Sequence, residues 1–272
     1  MENRTETSFL NTEGRAIKAL NLYAGIGGNR KLWPENVTVT SVELDPNIAD
    51  VYRHYFPNDT LIVGDAHEYL LKHYKEFDFI WASPPCTTHT RMNKNFAKTK
   101  NGIGQIDPRY PDMKLYQEII FLDNFFEGKY CVENVIPYYP PLIPAQQRHR
   151  HLYWCNFKIR QTSKGNPEKE MNVVKKEVRL AGKRKSYIKE NSAKLLAKKF
   201  GFEPIDKNVY VNGNHSPGQM FRNCVDPNEG LLIFQCAVGA FKSNSVHQPD
   251  QRRHIVANVS SIGAVTPYNN RL

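Results

Sequence analysis

The sequence lacks the features that define several common classes of protein. No apolar run approaches the ~18 residues that a membrane helix needs, and residues 1–6 do not have the character of a signal peptide. The five cysteines form no CxxC pair, the nine histidines lack the spacing of zinc ligands, and the chain contains no internal repeats. These absences predict a soluble, cytoplasmic protein without a membrane partner, a bound metal or a disulfide framework.

Acidic residues are scarce relative to basic ones. The chain of 272 residues has 37 Lys and Arg against 27 Asp and Glu, which leaves a formal net charge of +10. This charge favours an anionic partner, although charge alone does not identify a nucleic acid. Basic residues are densest in residues 158–189, where few large apolar side chains occur. That segment is either an insert that contacts phosphates or a solvated linker.

Apolar and β-branched runs alternate with helical patterns over the first 135 residues. This alternation is typical of an α/β fold with a doubly wound, mostly parallel sheet. The length allows one large domain with a small insert. The predicted strands are residues 17–23, 37–42, 60–63, 77–81 and 129–132, and the predicted helices are residues 46–55, 66–75 and 113–126.

Residues that bind or react with ligands follow each of these strands. A glycine-rich turn, residues 24–28, follows the first strand and is predicted to open a helix, so that its backbone N–H groups point at a ligand. Glu43 and Asp65 follow the next two strands, Cys86 follows the fourth, and Glu133 follows the fifth. Because the carboxyl ends of parallel strands meet at one edge of the sheet, we expect a single ligand-binding crevice there.

A basic pattern follows this region. An extended conformation would put Gln146, Arg148 and Arg150 on one face and His149 and His151 on the other. Two guanidinium groups beside a thiol and a carboxylate would form a wall that binds an anion or a carbonyl group. The alternative interpretation is a basic strand on the protein surface.

Taken in order, these motifs resemble those of the DNA (cytosine-5) methyltransferases, in their compact bacterial or phage form. The similarity extends over most of residues 17–236 and implies the Rossmann-like fold of the S-adenosylmethionine-dependent methyltransferases. The motifs that carry the resemblance are Asn21–Gly28, Glu43 with Asp65, Ser83–Cys86, Glu133–Val135, Gln146-x-Arg148-x-Arg150 and Gln219–Pro227.

The resemblance implies that S-adenosylmethionine is the cofactor. In the family, the acid matched by Glu43 holds the ribose hydroxyl groups, and the acid matched by Asp65 binds the adenine amino group. The last motif completes the cofactor pocket. The cofactor-binding residues expected from these matches are Tyr23, Ala24, Gly25, Ile26, Gly28, Glu43, Asp65, Pro84, Asn223 and Val225.

The resemblance also assigns the chemistry. Cys86 matches the nucleophile that adds to C6 of cytosine, and Glu133 matches the acid that protonates or polarises N3. Arg150 is expected to hold O2 of the base. Arg148 is expected either to support the wall that the two guanidinium groups form or to contact a phosphate. The base would have to leave the duplex, with the polar loop of residues 87–111 closing over it.

Several departures from the family pattern bear on the substrate. Thr87 stands where the family usually has Gln, and Arg222 and Asp226 replace the usual Gly and Pro of the last motif. The segment 158–189 lies where the family keeps its target recognition domain, but it has little room to read base edges. The resemblance implies double-stranded DNA as the substrate, and the small size of this segment predicts a short or relaxed target sequence.

The expected organisation is a catalytic domain formed by residues 1–157 and 190–240, a basic recognition insert at 158–189 and a tail at 241–272. The compact size suggests a phage or mobile-element enzyme, or an orphan without a restriction partner. No protein partner is indicated, so we expect a monomer. The alternatives are a tRNA cytosine-5 methyltransferase, whose family carries the same motifs, and a catalytically weak nucleic-acid-binding relative.

Overall fold

A seven-stranded sheet forms the centre of the protein. The computed structural model describes residues 14–91, 109–161, 193–204 and 217–243. In these ranges the strands are β1 (Lys18–Leu22), β2 (Thr38–Glu43), β3 (Thr60–Val63), β4 (Phe79–Ala82), β5 (Lys129–Val135), β6 (Gln146–Arg148) and β7 (His151–Cys155).

The strand order across the sheet is β3-β2-β1-β4-β5-β7-β6. Strands β1 to β5 pair in parallel, and β7 pairs antiparallel with both β5 and β6. The predicted α/β fold with a mostly parallel sheet is therefore confirmed. The sheet reverses its strand order beside β1, the position at which open α/β sheets bind ligands.

The helices connect the strands and begin at residues suited to capping. Asp45 caps the first helix by accepting a hydrogen bond from the backbone N–H of Asn47, and Asp65 caps the second by accepting from His67 and Glu68. The helices are α1 (Pro46–Tyr55), α2 (Ala66–His73) with a 3-10 turn (Tyr74–Glu76), α3 (Lys114–Phe125), α4 (193–199), α5 (Pro217–Asn223) and α6 (Pro227–Ser243).

Both faces of the sheet are covered, because successive strand residues point to opposite sides. On one face, Trp81 and its neighbours pack against α6, where Phe234 stacks on Trp33 with ring centroids 4.9 Å apart. On the other face, Ile80 packs with residues of α2 and α3, including Leu122. Because helices pack on both faces, the sheet has the doubly wound arrangement that was predicted.

The glycine-rich turn does not open a helix, contrary to the prediction. Residues 24–36 form successive turns, in which Gly27 N–H bonds to Ala24 O and Arg30 N–H bonds to Gly27 O. Gly25 and Gly27 have φ angles of 55° and 81°, in the left-handed region that interrupts a right-handed helix. The ligand-binding edge therefore has no helix N-terminus after β1.

Residues 146–154 are not extended throughout, so the two faces expected for an extended conformation do not form. Strands β6 and β7 form a hairpin in which Arg148 pairs with His151, so that His149 and Arg150 make a two-residue turn. His149 adopts a φ angle of 49° there. Arg148 and Arg150 consequently do not share one face of a strand.

Residues at two of the predicted segment boundaries lie within the described ranges. Ile159 is buried in the core beneath α6, so the chain beyond residue 157 still belongs to the packed domain. Helix α6 continues to Ser243, past the predicted end at 240. The rest of the predicted insert and tail, and residues 92–108 of the predicted loop, lie outside the described residues.

A buried ion pair anchors the turns that follow β1. Arg30 donates from Nε and Nη2 to the two carboxylate oxygens of Asp59, both at 3.0 Å, and Tyr52 donates to the same carboxylate at 2.7 Å. The Asp59 side chain is 5% exposed. This arrangement ties the segment after β1 to the end of α1.

Replacing Asp59 by Ala would leave the Arg30 guanidinium buried without its carboxylate. We expect the free energy of unfolding to fall by about 3–5 kcal/mol. Asp50→Ala is the matched control, because Asp50 pairs with Arg53 on the surface and should cost less than about 1 kcal/mol. Urea unfolding of both variants measures the difference, and equal losses would contradict the prediction.

Candidate active site

The predicted site residues of the first five strands lie at the carboxyl edge of the sheet. Tyr23 and the glycine-rich turn follow β1, Glu43 ends β2, Asp65 follows β3, and Cys86 follows β4. Glu133 lies inside β5, because this strand continues three residues beyond its predicted end. Parallel pairing brings these positions to one edge, as expected from the sequence.

The glycine-rich turn and Glu43 form one side of the crevice. Glu43 accepts hydrogen bonds from the N–H groups of Gly25 at 2.8 Å and Asp45 at 2.9 Å. Burial raises the pKa of Glu43, and these N–H groups oppose that rise. A Cβ atom added to Gly25 would meet nothing within 4 Å, so there is open space beside the carboxylate. A fixed carboxylate next to open space suits a ligand with hydroxyl groups.

The two carboxylate oxygens of Asp65 have different surroundings. Its Oδ1 caps α2, and its Oδ2 lies 3.9 Å from Nζ of Lys114. The hydrogen bond from the N–H of Glu68 is the main cause of its lowered pKa, and Lys114 contributes to the same direction. Asp65 is therefore ionised at neutral pH and can accept from an amino group.

The last motif packs directly onto the glycine-rich turn. A Cβ atom at Gly28 would lie 2.5 Å from the carbonyl oxygen of Val225 and 2.9 Å from Cβ of Cys224. Only glycine allows this approach. Asn223 is exposed, and its side chain accepts a hydrogen bond from Gln219 at 2.8 Å. The structure thus brings Val225 to the glycine-rich turn. The hydrogen bond of the Asn223 side chain is made within α5 instead.

The loop that carries Cys86 is held against β5. The side-chain amide of Asn134 donates to the carbonyl oxygen of Pro84 at 2.9 Å, and Pro84 is buried. The carbonyl oxygen of Cys86 accepts from the N–H groups of both His89 and Thr90 at 3.0 Å. These bonds fix the cysteine at the start of a tight turn, with its side chain partly exposed.

Glu133 acts electrostatically on Cys86. Burial raises the pKa of the Cys86 thiol, and the nearby Glu133 carboxylate raises it further. Glu133 itself is 7% exposed, and Nε2 of His151 lies 3.7 Å from its Oε1. A thiol, a carboxyl group and an imidazole therefore lie together at the ends of β4, β5 and β7.

Arg148 and Arg150 have different surroundings. Arg148 is buried, with Nε bonded to Glu229 of α6, Nη2 at 3.2 Å from the same carboxylate and Nη1 at 2.9 Å from the carbonyl oxygen of Arg160. Arg150 is exposed in the turn between β6 and β7. The ion pair with Glu229 gives Arg148 a role in holding α6 against the hairpin.

Two buried polar residues beside the site were not predicted. His89 is 1% exposed, and its Nδ1 lies 2.6 Å from the hydroxyl oxygen of Tyr139; burial lowers the pKa of His89. Glu118 is fully buried within α3, a helix to which the sequence analysis assigned no functional residue. A lone glutamate on the apolar stripe of a helix was the available signal.

Part of the chain matches a known protein family. Residues 17–104 match the model of the C-5 cytosine-specific DNA methylase family. The resemblance to cytosine-5 methyltransferases is therefore confirmed over the segment that contains the glycine-rich turn, Glu43, Asp65 and Cys86.

Individual relatives match shorter parts of the chain. A tRNA (cytosine(38)-C(5))-methyltransferase of Spodoptera frugiperda is 34% identical over 83 residues, which are 28% of this chain and 25% of that protein. The chain thus matches a quarter of the length of this curated relative.

Two solved structures resemble parts of the fold. A mutant of DNMT2 from Spodoptera frugiperda is 28% identical, with 44% of this chain and 36% of that chain covered at a TM-score of 0.30. TrmN from Thermus thermophilus is 15% identical, with 52% and 44% covered at a TM-score of 0.31.

The described ranges contain neither a membrane-spanning helix nor a cluster of metal ligands. None of the helices there combines the length and the hydropathy that a membrane span requires. Within the same residues, no three His, Cys, Asp or Glu side chains are grouped as metal ligands would be.

Replacing Glu133 by Gln should make Cys86 more reactive at a given pH. Removal of the negative charge lowers the thiol pKa, so the thiolate, which is the form that reacts with alkylating reagents, is populated at lower pH. We expect the midpoint of the pH profile for iodoacetamide labelling of Cys86 to shift downward relative to the unchanged protein. Peptide mass spectrometry separates Cys86 from the other cysteines.

Glu68→Gln is the control for this experiment, because Glu68 is an exposed acid on α2. Its profile should coincide with that of the unchanged protein. An unchanged midpoint in Glu133→Gln would show that the carboxylate does not act on the thiol.

Proposed function

We propose that this chain is an S-adenosylmethionine-dependent methyltransferase that modifies C5 of cytosine in double-stranded DNA. The observation that carries the proposal is that the buried Glu133 carboxyl lies near enough to the Cys86 thiol to raise its pKa, at the edge that also holds the glycine-rich turn. The match to the cytosine-specific DNA methylase family over residues 17–104 supports it.

The residues around the glycine-rich turn fit S-adenosylmethionine. Glu43 would accept hydrogen bonds from the ribose hydroxyl groups, and Asp65 from the adenine amino group. The open space beside Gly25 gives the ligand room next to Glu43, and Val225 closes the far side of the turn. When bound there, the cofactor supplies an electrophilic methyl group.

Cys86 would start the reaction by covalent catalysis. Its thiolate forms a bond to C6 of cytosine, and the electrons of the C5–C6 double bond become available at C5 as Glu133 protonates N3. C5 would then take the methyl group as the bond between that methyl group and the cofactor's sulfur breaks. The proton on C5 passes to solvent, and the electrons of the C5–H bond restore the C5–C6 double bond. The Cys86 thiolate leaves C6 at the same time, and the N3 proton returns to Glu133.

Arg150 is the proposed partner of O2 of the base. Its guanidinium would stabilise negative charge on the ring and favour the Cys86 thiolate, which burial and Glu133 disfavour. Arg148 was expected to assist, but its bonds to Glu229 and the Arg160 carbonyl group are observations against that role. We therefore assign the base contact to Arg150 alone.

The cytosine must leave the duplex to reach Cys86, so we propose base flipping as part of the mechanism. We also retain the proposal that the short basic segment 158–189 contacts phosphates and allows only a short or relaxed target sequence.

A tRNA substrate is the second candidate. It is favoured by the curated relative, which is a tRNA (cytosine(38)-C(5))-methyltransferase and is 34% identical over the matched residues. The Cys86 and Glu133 chemistry would be the same, because the base and the reacting atoms do not differ between the two polynucleotides.

Replacing Cys86 by Ala should reduce methylation by more than about 10⁴-fold, because the covalent route is lost. The measurement is nucleoside mass spectrometry of DNA and of tRNA from cells that lack cytosine methylation of their own. 5-Methylcytosine in DNA with the unchanged protein, absent with Cys86→Ala, supports the proposal. Its appearance only in tRNA would support the second candidate, and methylation that survives Cys86→Ala would contradict the mechanism.

The two arginines should differ when each is replaced by Ala. Arg150→Ala should lower kcat by roughly 10²–10³-fold and change the free energy of unfolding by less than about 1 kcal/mol. Arg148→Ala should lower the free energy of unfolding by about 2–4 kcal/mol, because the Glu229 carboxylate, whose side chain is only 12% exposed, would lose both of its hydrogen bonds from Arg148. Turnover assays and urea unfolding of both variants test this division, and the reverse pattern would refute it.

A further inference from the structure

The carboxyl group of Glu118 lies fully buried between three segments. Its Oε1 accepts a hydrogen bond from the hydroxyl group of Tyr23, and Nδ1 of His67 lies 3.1 Å from the same oxygen. No donor among the described residues reaches Oε2, which is also buried. Buried polar atoms normally have partners, so this carboxyl group requires an explanation beyond core packing.

The partners of Glu118 belong to the segments that form the candidate cofactor pocket. Tyr23 is the first residue after β1 and has a φ angle of 56°, which is unusual for a residue with a large side chain. His67 lies in the first turn of α2, and its N–H bonds to Asp65 at 2.8 Å. One turn before Glu118 on α3, Lys114 lies near Asp65. Helix α3 thus holds both the glycine-rich turn and the Asp65 segment.

The surroundings of this carboxyl group disfavour its charged form. An ionised carboxylate with one oxygen buried and unsatisfied would be costly, and burial is the main cause of the raised pKa of Glu118. The hydrogen bonds that Tyr23 and His67 donate to Oε1 lower the pKa of Glu118, whereas the negative charge of Asp65 raises it further. Gln has the same shape and also presents an acceptor and a donor, so it is the conservative replacement.

We propose that Glu118 is a positioning residue for the cofactor, and that its carboxyl group holds Tyr23 and His67 where they shape the S-adenosylmethionine pocket. The inference rests on the proposed function, because Glu118 is assigned to position residues of the pocket that the proposed function gives to the cofactor. Without this carboxyl group, Tyr23 loses the bond that opposes relaxation of its left-handed backbone, and α2 loses a link to α3 beside Asp65.

The inference predicts a loss of cofactor affinity without a loss of chemistry. Glu118→Ala should weaken binding of S-adenosylhomocysteine by about 10–100-fold, the range found when residues that orient direct ligands are removed. Glu118→Gln should bind within about threefold of the unchanged protein, because it keeps both hydrogen-bonding functions. With the cofactor at saturation, kcat of Glu118→Ala should stay within about threefold, because Cys86 and Glu133 are untouched.

Asp123→Ala is the matched control on the same helix. Asp123 accepts a hydrogen bond from the hydroxyl group of Tyr130 at 3.0 Å, so it also links α3 to the sheet through a tyrosine. Its replacement should reduce stability but leave the affinity for S-adenosylhomocysteine unchanged. Isothermal titration calorimetry measures the affinities, and thermal unfolding monitors the fold of each variant.

The outcomes separate this inference from the proposed function. If Glu118→Ala binds as tightly as Asp123→Ala, Glu118 has only a structural role and the inference is wrong. If Glu118→Ala does not fold, Tyr23→Phe replaces it; this variant removes only the hydroxyl group, and unchanged affinity would overturn the inference. If the unchanged protein does not bind S-adenosylhomocysteine, the proposed function fails and the inference fails with it.

Discussion

The hydrogen bond from the side-chain amide of Asn134 to the carbonyl oxygen of Pro84 sets the geometry on which the candidate active site depends. Neither partner takes part in the proposed chemistry. The bond joins the loop after β4 to the end of β5, and it thereby fixes Cys86 relative to Glu133. Two adjacent prolines have no backbone N–H to tie this loop into the sheet, so a side chain from the next strand supplies the connection. The turn from Cys86 to Thr90 then closes on itself through its own backbone bonds.

Burial changes the pKa values of the acidic groups and the thiol at the same edge of the sheet. The pKa values of Glu43, Cys86 and Glu118 are all raised, with burial as the largest cause in each case. At neutral pH, Cys86 is therefore mainly a thiol, the form that reacts slowly with oxidants and alkylating agents. A site of this kind becomes reactive when positive charge or a substrate hydrogen bond offsets the cost of the thiolate. Arg150, in the exposed turn of the hairpin, is the cation that we propose for this role.

The candidate site is assembled from parts that are far apart in the sequence. The family match ends at residue 104, whereas Glu133, the hairpin with Arg150 and the segment that packs on Gly28 all follow it. Parallel pairing of β4 with β5 brings Glu133 beside Cys86, and the approach of Val225 to Gly28 closes the cofactor side. The close contact at Gly28 also shows why a residue with no side chain is needed at the end of the glycine-rich turn.

Local sequence patterns were sufficient to predict the first five strands in order, and with them the edge at which Glu43, Asp65, Cys86 and Glu133 meet. Local patterns suffice for this, because alternating apolar runs specify the elements and parallel strands present their carboxyl ends together. Only the tertiary structure decided that the glycine-rich turn continues as turns, that Arg148 pairs with Glu229, and that Glu118 holds Tyr23 and His67. Each of these depends on a backbone angle or on a partner distant in the chain, and neither is encoded in the periodicity of a single segment.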